Sequence, residues 1–230
     1  MIKIEQFEEL SNCPTSSWAI WTDKFNKKGC IEGEPGQPKN YFIKNLFVLK
    51  NNIILLGLNP SEFTENRKKL EDKKCINLSE SNENLMRNFH TVGHRGDNCL
   101  KETICNLNNI QGAYMTDLAA VIKTDSNKVI IRDEDIEIFK QKLEILGANN
   151  FHVICFGDKT FYAIFNYFKN KGTKIKIEIN DFAVKEYSTC LDEKNIKLYG
   201  ILHYSYVVNG RGNHRRNDFE RQMEYVNNKL

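Results

Sequence analysis

The chain has 230 residues, 40% of them hydrophobic and 27% charged, with a formal net charge of +3. That length is enough for one generous domain or two small ones with a real core, and the composition is ordinary for a soluble globular protein. The charge surplus is too mild to demand a nucleic-acid partner by itself. No apolar stretch reaches transmembrane length, and the start Met1–Leu10 does not read as a signal peptide, so a cytoplasmic protein with no membrane partner is expected. The seven cysteines are scattered singly without a Cys-x-x-Cys pair, which fits a reducing compartment.

In chain order, residues 13 to 40 are turn-rich. They hold Pro14, Pro35 and Pro38 around the aromatic pair Trp18 and Trp21. Residues 1–40 therefore read as an N-terminal extension packed on a single domain of 1–230, since no linker or internal repeat divides the chain. Tyr41 to Lys50 and Asn52 to Leu58 read as paired strands. Residues 64 to 84 are charged and polar and read as a surface loop. Helices are expected over Glu83 to His90 and Asn98 to Asn108, and a strand over 112 to 117. Arg132 to Leu146 is the best helix, because Ile136, Phe139, Leu143 and Leu146 share a face and Asp133, Glu134 and Asp135 favour its first turn. Phe151 to Phe156 reads as a strand, and Asp158 as the cap of a helix over Lys159 to Lys169. Ile175, Ile177 and Ile179 alternate with charged residues, as in a strand exposed on one face. A last helix covers Asn217 to Asn228. Strands alternating with helices predict an α/β fold, a three-layer α/β/α sandwich around a mainly parallel central sheet.

Two apolar runs end in polar elbows. Ile53-Ile54-Leu55-Leu56-Gly57-Leu58 leads into Asn59-Pro60-Ser61, and Leu198-Tyr199-Gly200-Ile201-Leu202 leads into His203-Tyr204-Ser205-Tyr206. Such runs read as buried strands, and open α/β sheets bind ligands beyond the carboxyl ends of their strands. Gly57-Leu58-Asn59-Pro60-Ser61 resembles the first motif of the uracil-DNA glycosylase superfamily, in the Gly-x-Asn-Pro form of its mismatch-specific and single-strand-selective branches. His203-Tyr204-Ser205 resembles a worn version of the second motif, His-Pro-Ser-Pro. Between them, Ala113-Tyr114-Met115-Thr116-Asp117-Leu118 matches a strand that in the family ends in a base-reading Asn. Val153-Ile154-Cys155-Phe156-Gly157-Asp158-Lys159 resembles the later strand-Gly-helix turn. The resemblance spans roughly residues 53 to 216.

The resemblance implies a monofunctional, hydrolytic DNA N-glycosylase that needs neither cofactor nor metal, acting on a flipped uracil or other modified base. Asn59 would orient a water at the sugar, since a carboxamide is no strong base. His203 would donate to the base oxygen that gains charge as the base leaves. Gly57 and Leu58 would line the base site, with Phe63 or Phe89 stacking on the base. Each Phe also reads as plain core. Asp117 departs from the family's Asn. It offers acceptors only when ionised, which points away from plain uracil, and it reads equally as the cap of a helix starting at Leu118. Tyr204 and Tyr206 stand where the family has prolines.

Asn209-Gly210-Arg211-Gly212-Asn213-His214-Arg215-Arg216 follows the His motif, where the family's loop enters the duplex. With Ser61, Ser205 and Asn209, the arginines Arg211, Arg215 and Arg216 would contact DNA phosphates; otherwise the run is a solvated face. The partner implied is single- or double-stranded DNA, met by a monomer in the cytoplasm at the nucleoid.

Other constellations are weaker. His90 and His94 lack a third metal ligand, and the cysteine spacings do not match the iron–sulfur pattern of some glycosylase branches. No phosphate-cradling or dinucleotide motif and no Gly-x-Ser-x-Gly elbow occurs. Two alternatives stay open: a non-catalytic binder of modified or flipped bases, and a hydrolase of free nucleosides or nucleotides.

Overall fold

A computed structural model describes residues 1–13, 15–21, 37–59, 85–86, 89–90, 95–119, 128–170, 176–191, 193–207 and 213–230. Helix α1 spans Ile4–Ser11 and strand β1 Ser17–Trp18; β2 spans Gln37–Pro38 and helix α2 Lys39–Lys44. Strand β3 covers Ile53–Gly57, β4 Leu85–Met86, helix α3 Arg95–Ile104, β5 Tyr114–Asp117 and helix α4 Asp133–Leu146. The second half holds β6 at Asn150–Phe156, helix α5 at Asp158–Asn170, β7 at Glu178–Ile179, β8 at Lys185–Leu191, β9 at Lys194–Ile201 and helix α6 at Asn213–Asn227.

Seven strands form one mixed sheet in the order β1-β5-β3-β6-β9-β8-β7. Its centre, β5-β3-β6-β9, is parallel, while β1 and the β8–β7 side run antiparallel. This is an α/β fold with a mainly parallel core. The central strands are apolar almost throughout because both their faces are covered. Successive residues of a strand point to opposite faces, and the buried clusters follow that rule. Ile54 and Leu56 of β3 pack with Phe7, Phe139, Leu143, Phe161 and Phe168, from α1, α4 and α5. Ile53 and Leu55 pack with Leu100, Ile104, Phe219 and Met223, from α3 and α6.

The N-terminal residues are part of this core. Trp18 is fully buried, with its ring 4.8 Å from that of Phe7, 5.3 Å from Tyr114 and 6.0 Å from Phe42. The Gln6 amide donates to Ile145 O at 2.6 Å and so ties α1 to the end of α4. The backbone N–H of Arg132 donates to Asp135 at 2.9 Å, closing the start of α4.

Several sequence expectations are corrected. Tyr41 to Lys50 is no strand: it is α2 followed by a 3-10 turn at Leu46–Val48. Only Phe42 of α2 is buried, and the Asn45 side chain donates to Tyr41 O at 2.7 Å, closing the helix instead of extending a strand. The expected helix through Glu83 to His90 is replaced at Leu85–Met86 by a two-residue strand that pairs with Gln37–Pro38. No helix begins at Leu118, because the N–H groups of Leu118 and Ala119 donate to Gly57 O and Leu58 O and carry the β3–β5 ladder onward. Asp158 is the first residue of α5 and accepts from Lys185 Nζ at 2.5 Å. The strand expected at Ile175 to Ile179 is described only from residue 176 and pairs at Glu178–Ile179. The polar stretch 64 to 84 lies outside the described residues.

Candidate active site

The parallel register sets the site. Leu56 is level with Cys155, and Cys155 with Gly200, so the carboxyl ends of β3, β6 and β9 finish at one height. Asn59 stands two residues beyond β3 and His203 two residues beyond β9. Two inter-strand spacings separate those strand ends, about 10 Å. On the strand between them, β6, the residue directly after its end is Gly157, with φ +84, and a Cβ there would stand 3.5 Å from His203 Cβ. A residue without a side chain, in the left-handed region that favours glycine, thus lies directly against His203. Asp117 ends β5 on the other side of β3, level with Gly57.

Gly57 is where Asp117 rests. A Cβ on Gly57 would meet Asp117 Oδ1 at 2.1 Å and Phe89 Cζ at 3.1 Å. Both neighbours are buried, Asp117 at 4% exposure and Phe89 at 5%. Phe89 has φ 61, a conformation a bulky residue adopts only when its surroundings enforce it. Its ring lies 6.4 Å from that of Tyr204. Leu58 packs away from this point, with Ala119 and Val129.

His203 is held from its own turn. Its Nδ1 accepts the Ser205 backbone N–H at 3.1 Å, and the Ser205 hydroxyl lies 2.8 Å from the same atom. A backbone N–H can only donate, so Nδ1 is unprotonated and the neutral ring carries its proton on Nε2. The Tyr204 ring stacks on His203 at 4.6 Å and meets Phe156 edge-on at 5.1 Å. Burial pushes the Tyr204 phenol well above its ordinary range; the carboxylates of Asp97 and Asp117 push it further, and Asp97 accepts its hydrogen bond.

Behind the site lies a polar cluster that sequence reasoning missed. Lys142 is 6% exposed and donates to Thr116 Oγ1 at 2.8 Å and Thr15 Oγ1 at 3.0 Å. Burial lowers the Lys142 ammonium, and Cys13 and Asp117 oppose that lowering. Cys13 Sγ lies 3.1 Å from Thr15 Oγ1. Burial pushes the Cys13 thiol up, but Lys142 and the hydrogen bonds of Thr15 and Ser16 outweigh it, and the net shift is downward. A signal was available: Lys142 falls between Phe139 and Leu146 on the apolar stripe of its helix. Asp97, 9% exposed, carried no such mark.

Of the expected site residues, Gly57, Asn59, Phe89, Asp117, His203 and Ser205 gather at these strand ends, and Leu58 turns to its own small cluster. Arg215 is exposed near the start of α6. Arg216 is ion-paired to Glu102 at 2.8 Å and to Glu220 at 2.8 Å. Ser61, Phe63, Asn209 and Arg211 lie outside the described residues. His90 is buried with Nε2 3.2 Å from Trp18 O, and burial takes it down to about 3, so the ring stays neutral and serves the core. Its expected companion His94 is outside the described residues. Among the described residues no three His, Cys, Asp or Glu side chains group as metal ligands, and no helix is long and apolar enough to cross a membrane. The sequence matches no protein-family model and no curated protein.

Proposed function

We propose that this chain is a DNA glycosylase-like hydrolase, a divergent member of the uracil-DNA glycosylase superfamily that cleaves the N-glycosidic bond of a flipped uracil or other modified base. The observation that carries the reading is the level placement of Asn59 and His203 just beyond the carboxyl ends of β3 and β9, with Gly157, directly after β6, against His203. The two faces of the sheet, each with its own helices, favour a three-layer α/β/α sandwich.

The chemistry follows from these side chains. Asn59 holds a water by hydrogen bonds at the sugar C1′. As the C1′–N bond breaks, its electron pair leaves with the base, and the His203 Nε2–H donates to the base oxygen that gains the charge. Water oxygen bonds to C1′, and its proton passes to solvent. Phe89 stacks on the base, and Asp117 reads its edge. No metal or cofactor enters these steps. The protein acts as a monomer on DNA, in the cytoplasm at the nucleoid, with Arg215 on the phosphates.

A second reading has its own observation. Tyr204, where the superfamily has proline, is buried between Phe89 and Phe156 and stacked on His203. A ring there stiffens the turn and favours a binder of modified or flipped bases that does not cut. Base release from labelled single- and double-stranded oligonucleotides, with Asn59→Ala and His203→Ala alongside, separates the two. Release that both variants abolish supports the glycosylase. Salt-sensitive binding without release supports the binder, and activity on free nucleosides alone overturns both.

A further inference from the structure

The chain reaches His203 through two anchored residues. Ile201 O accepts the Gly157 N–H at 2.9 Å, which ties the last residue of β9 to the residue directly after β6. The Leu202 N–H donates to Gln222 Oε1, from α6, at 2.7 Å. The same carboxamide donates through Nε2 to Phe182 O at 2.9 Å. Gln222 is 4% exposed. Phe219 and Met223 of the same helix are fully buried in one cluster with Ile201 and Tyr204, so the carboxamide hangs from a helix fixed in the core.

The backbone explains why a side chain serves here. Strands β8 and β9 pair up to Lys185 and Gly200. Carried two residues further, that register would set Leu202 opposite Ala183. Ala183 instead has φ 57 and lies in a turn closed by Asn180, whose Oδ1 accepts the N–H groups of Phe182 at 2.9 Å and Val184 at 3.1 Å. The Gln222 carboxamide bridges the break. It offers one acceptor to an N–H and one donor to a carbonyl, as a peptide unit does. Its orientation is fixed by the same partners, since a flipped amide would set N–H against N–H and oxygen against oxygen.

Resting on the reading of His203 as the donor to the departing base, we propose that Gln222 is a positioning residue: by holding Leu202, its carboxamide sets where the His203 imidazole stands. Leu202 directly precedes His203, and the bond from the Ser205 N–H to Nδ1 closes the turn that starts there. A donor aimed at developing charge must be preset to within about half an ångström, and a displacement of about 1 Å costs up to about a hundredfold in rate. Gln222 acts through Leu202 and takes no part in the chemistry itself.

The test compares the wild type with Gln222→Met and Gln222→Glu in the whole protein. Methionine keeps the shape and loses both bonds. Glutamate, held neutral by burial, keeps one acceptor and one donor. Nitrogen-15 NMR of the His203 ring, without DNA, reads its tautomer. The wild type should show one form with the proton on Nε2, Gln222→Met a mixture of tautomers, and Gln222→Glu the wild-type form. Single-turnover release of the base that the wild type excises should fall about tenfold to a hundredfold in Gln222→Met. Binding of the same oligonucleotide made with a 2′-fluoroarabino sugar, which holds the base and reports binding alone, should stay unchanged. A ring signal in Gln222→Met identical to that of the wild type overturns the inference and leaves the glycosylase reading standing. A shifted ring signal in a protein that releases no base upholds the inference and overturns the glycosylase. If Gln222→Met fails to fold, hydrogen exchange at the Leu202 amide decides. Protection in the wild type that Gln222→Glu retains upholds the inference, and exchange like that of an exposed loop overturns it.

Discussion

The Nδ1 atom of His203 accepts the backbone N–H of Ser205 at 3.1 Å, and this bond fixes which ring nitrogen carries the proton. The Ser205 hydroxyl, 2.8 Å away, reinforces it but is not required for it. His203→Ala should therefore lower base release about 10²–10³-fold, the usual loss when a charge-stabilising donor is removed. Ser205→Ala keeps the backbone donor and should lose less than about tenfold. Ser205→Pro removes the N–H and should approach the His203→Ala loss. Single-turnover rates on one oligonucleotide check all three. Equal losses in Ser205→Ala and Ser205→Pro would contradict this role for the backbone bond.

Gly57 has a second neighbour that leaves no room for a side chain. A Cβ there stands 2.1 Å from Asp117 Oδ1. Gly57→Ala must push the Asp117 carboxylate off its seat, and overpacking of this kind costs about 1–3 kcal/mol. The expected outcome is a folded protein with a lower denaturation midpoint and slower base release. Urea unfolding and single-turnover rates measure the two effects separately. Unchanged release in Gly57→Ala would show that the seat of the carboxylate does not matter to the site.

The fold was legible where the signal is local. Helix α4 announced itself through Ile136, Phe139, Leu143 and Leu146, and β6 through a continuous apolar run; both fall within a residue of their expected ends. Asn59, Asp117 and His203 were legible as polar residues directly after such runs. What escaped was set by distant partners. Strand β8 reads Lys185-Glu186-Tyr187-Ser188-Thr189-Cys190-Leu191 and has only Tyr187 and Thr189 buried, so its identity rests on the pairing with β9. The aromatic run from Tyr41 looks like a strand but exposes Ile43, Phe47 and Val48, because only Phe42 and Leu49 are buried in the core. The bond of Lys142 to Thr15 joins residues 127 apart in sequence, and no window along the chain can see it.

Acid should expose the burial of His90. Its ring has an ordinary value of 6.5 and is taken down to about 3 by complete burial. Between those values the unfolded chain binds a proton that the folded one does not. The contribution of His90 to stability is flat above pH 6.5 and falls as pH drops toward 3, by about 1.4 kcal/mol per pH unit, a loss on the order of a few kcal/mol across the window. His90→Gln keeps an N–H for Trp18 O and cannot titrate. Urea unfolding at several pH values should show the wild-type slope steeper than that of His90→Gln by up to one proton in this range. Parallel slopes would place the titrating burden on the carboxylates alone.

Phe89 is buried and left-handed at φ 61, with its ring edge near Gly57. Phe89→Leu keeps an apolar side chain but removes the flat face. The smaller side chain leaves a cavity that lowers stability, and loss of a stacking ring costs about 1–3 kcal/mol of base binding as well. Binding of a 2′-fluoroarabino oligonucleotide should therefore weaken roughly tenfold or more, while binding of the same oligonucleotide with an abasic site stays unchanged. Equal weakening of both would assign Phe89 to the core alone.

The two arginines at the start of α6 should behave differently. Arg216 bridges Glu102 and Glu220, both at 2.8 Å, so its charge is neutralised within the protein. Arg215 is exposed. A cation on a phosphate releases counterions and adds about 0.9 to the slope of log affinity against log salt on duplex, about 0.7 on single strands. Arg215→Ala should lower that slope by one such step. Arg216→Ala should leave it nearly unchanged while loosening the contact between α6 and α3. Fluorescence-anisotropy titrations from low to moderate salt read the slope directly. A slope that falls in Arg216→Ala and holds in Arg215→Ala would mean that DNA displaces the glutamates and takes Arg216 for itself.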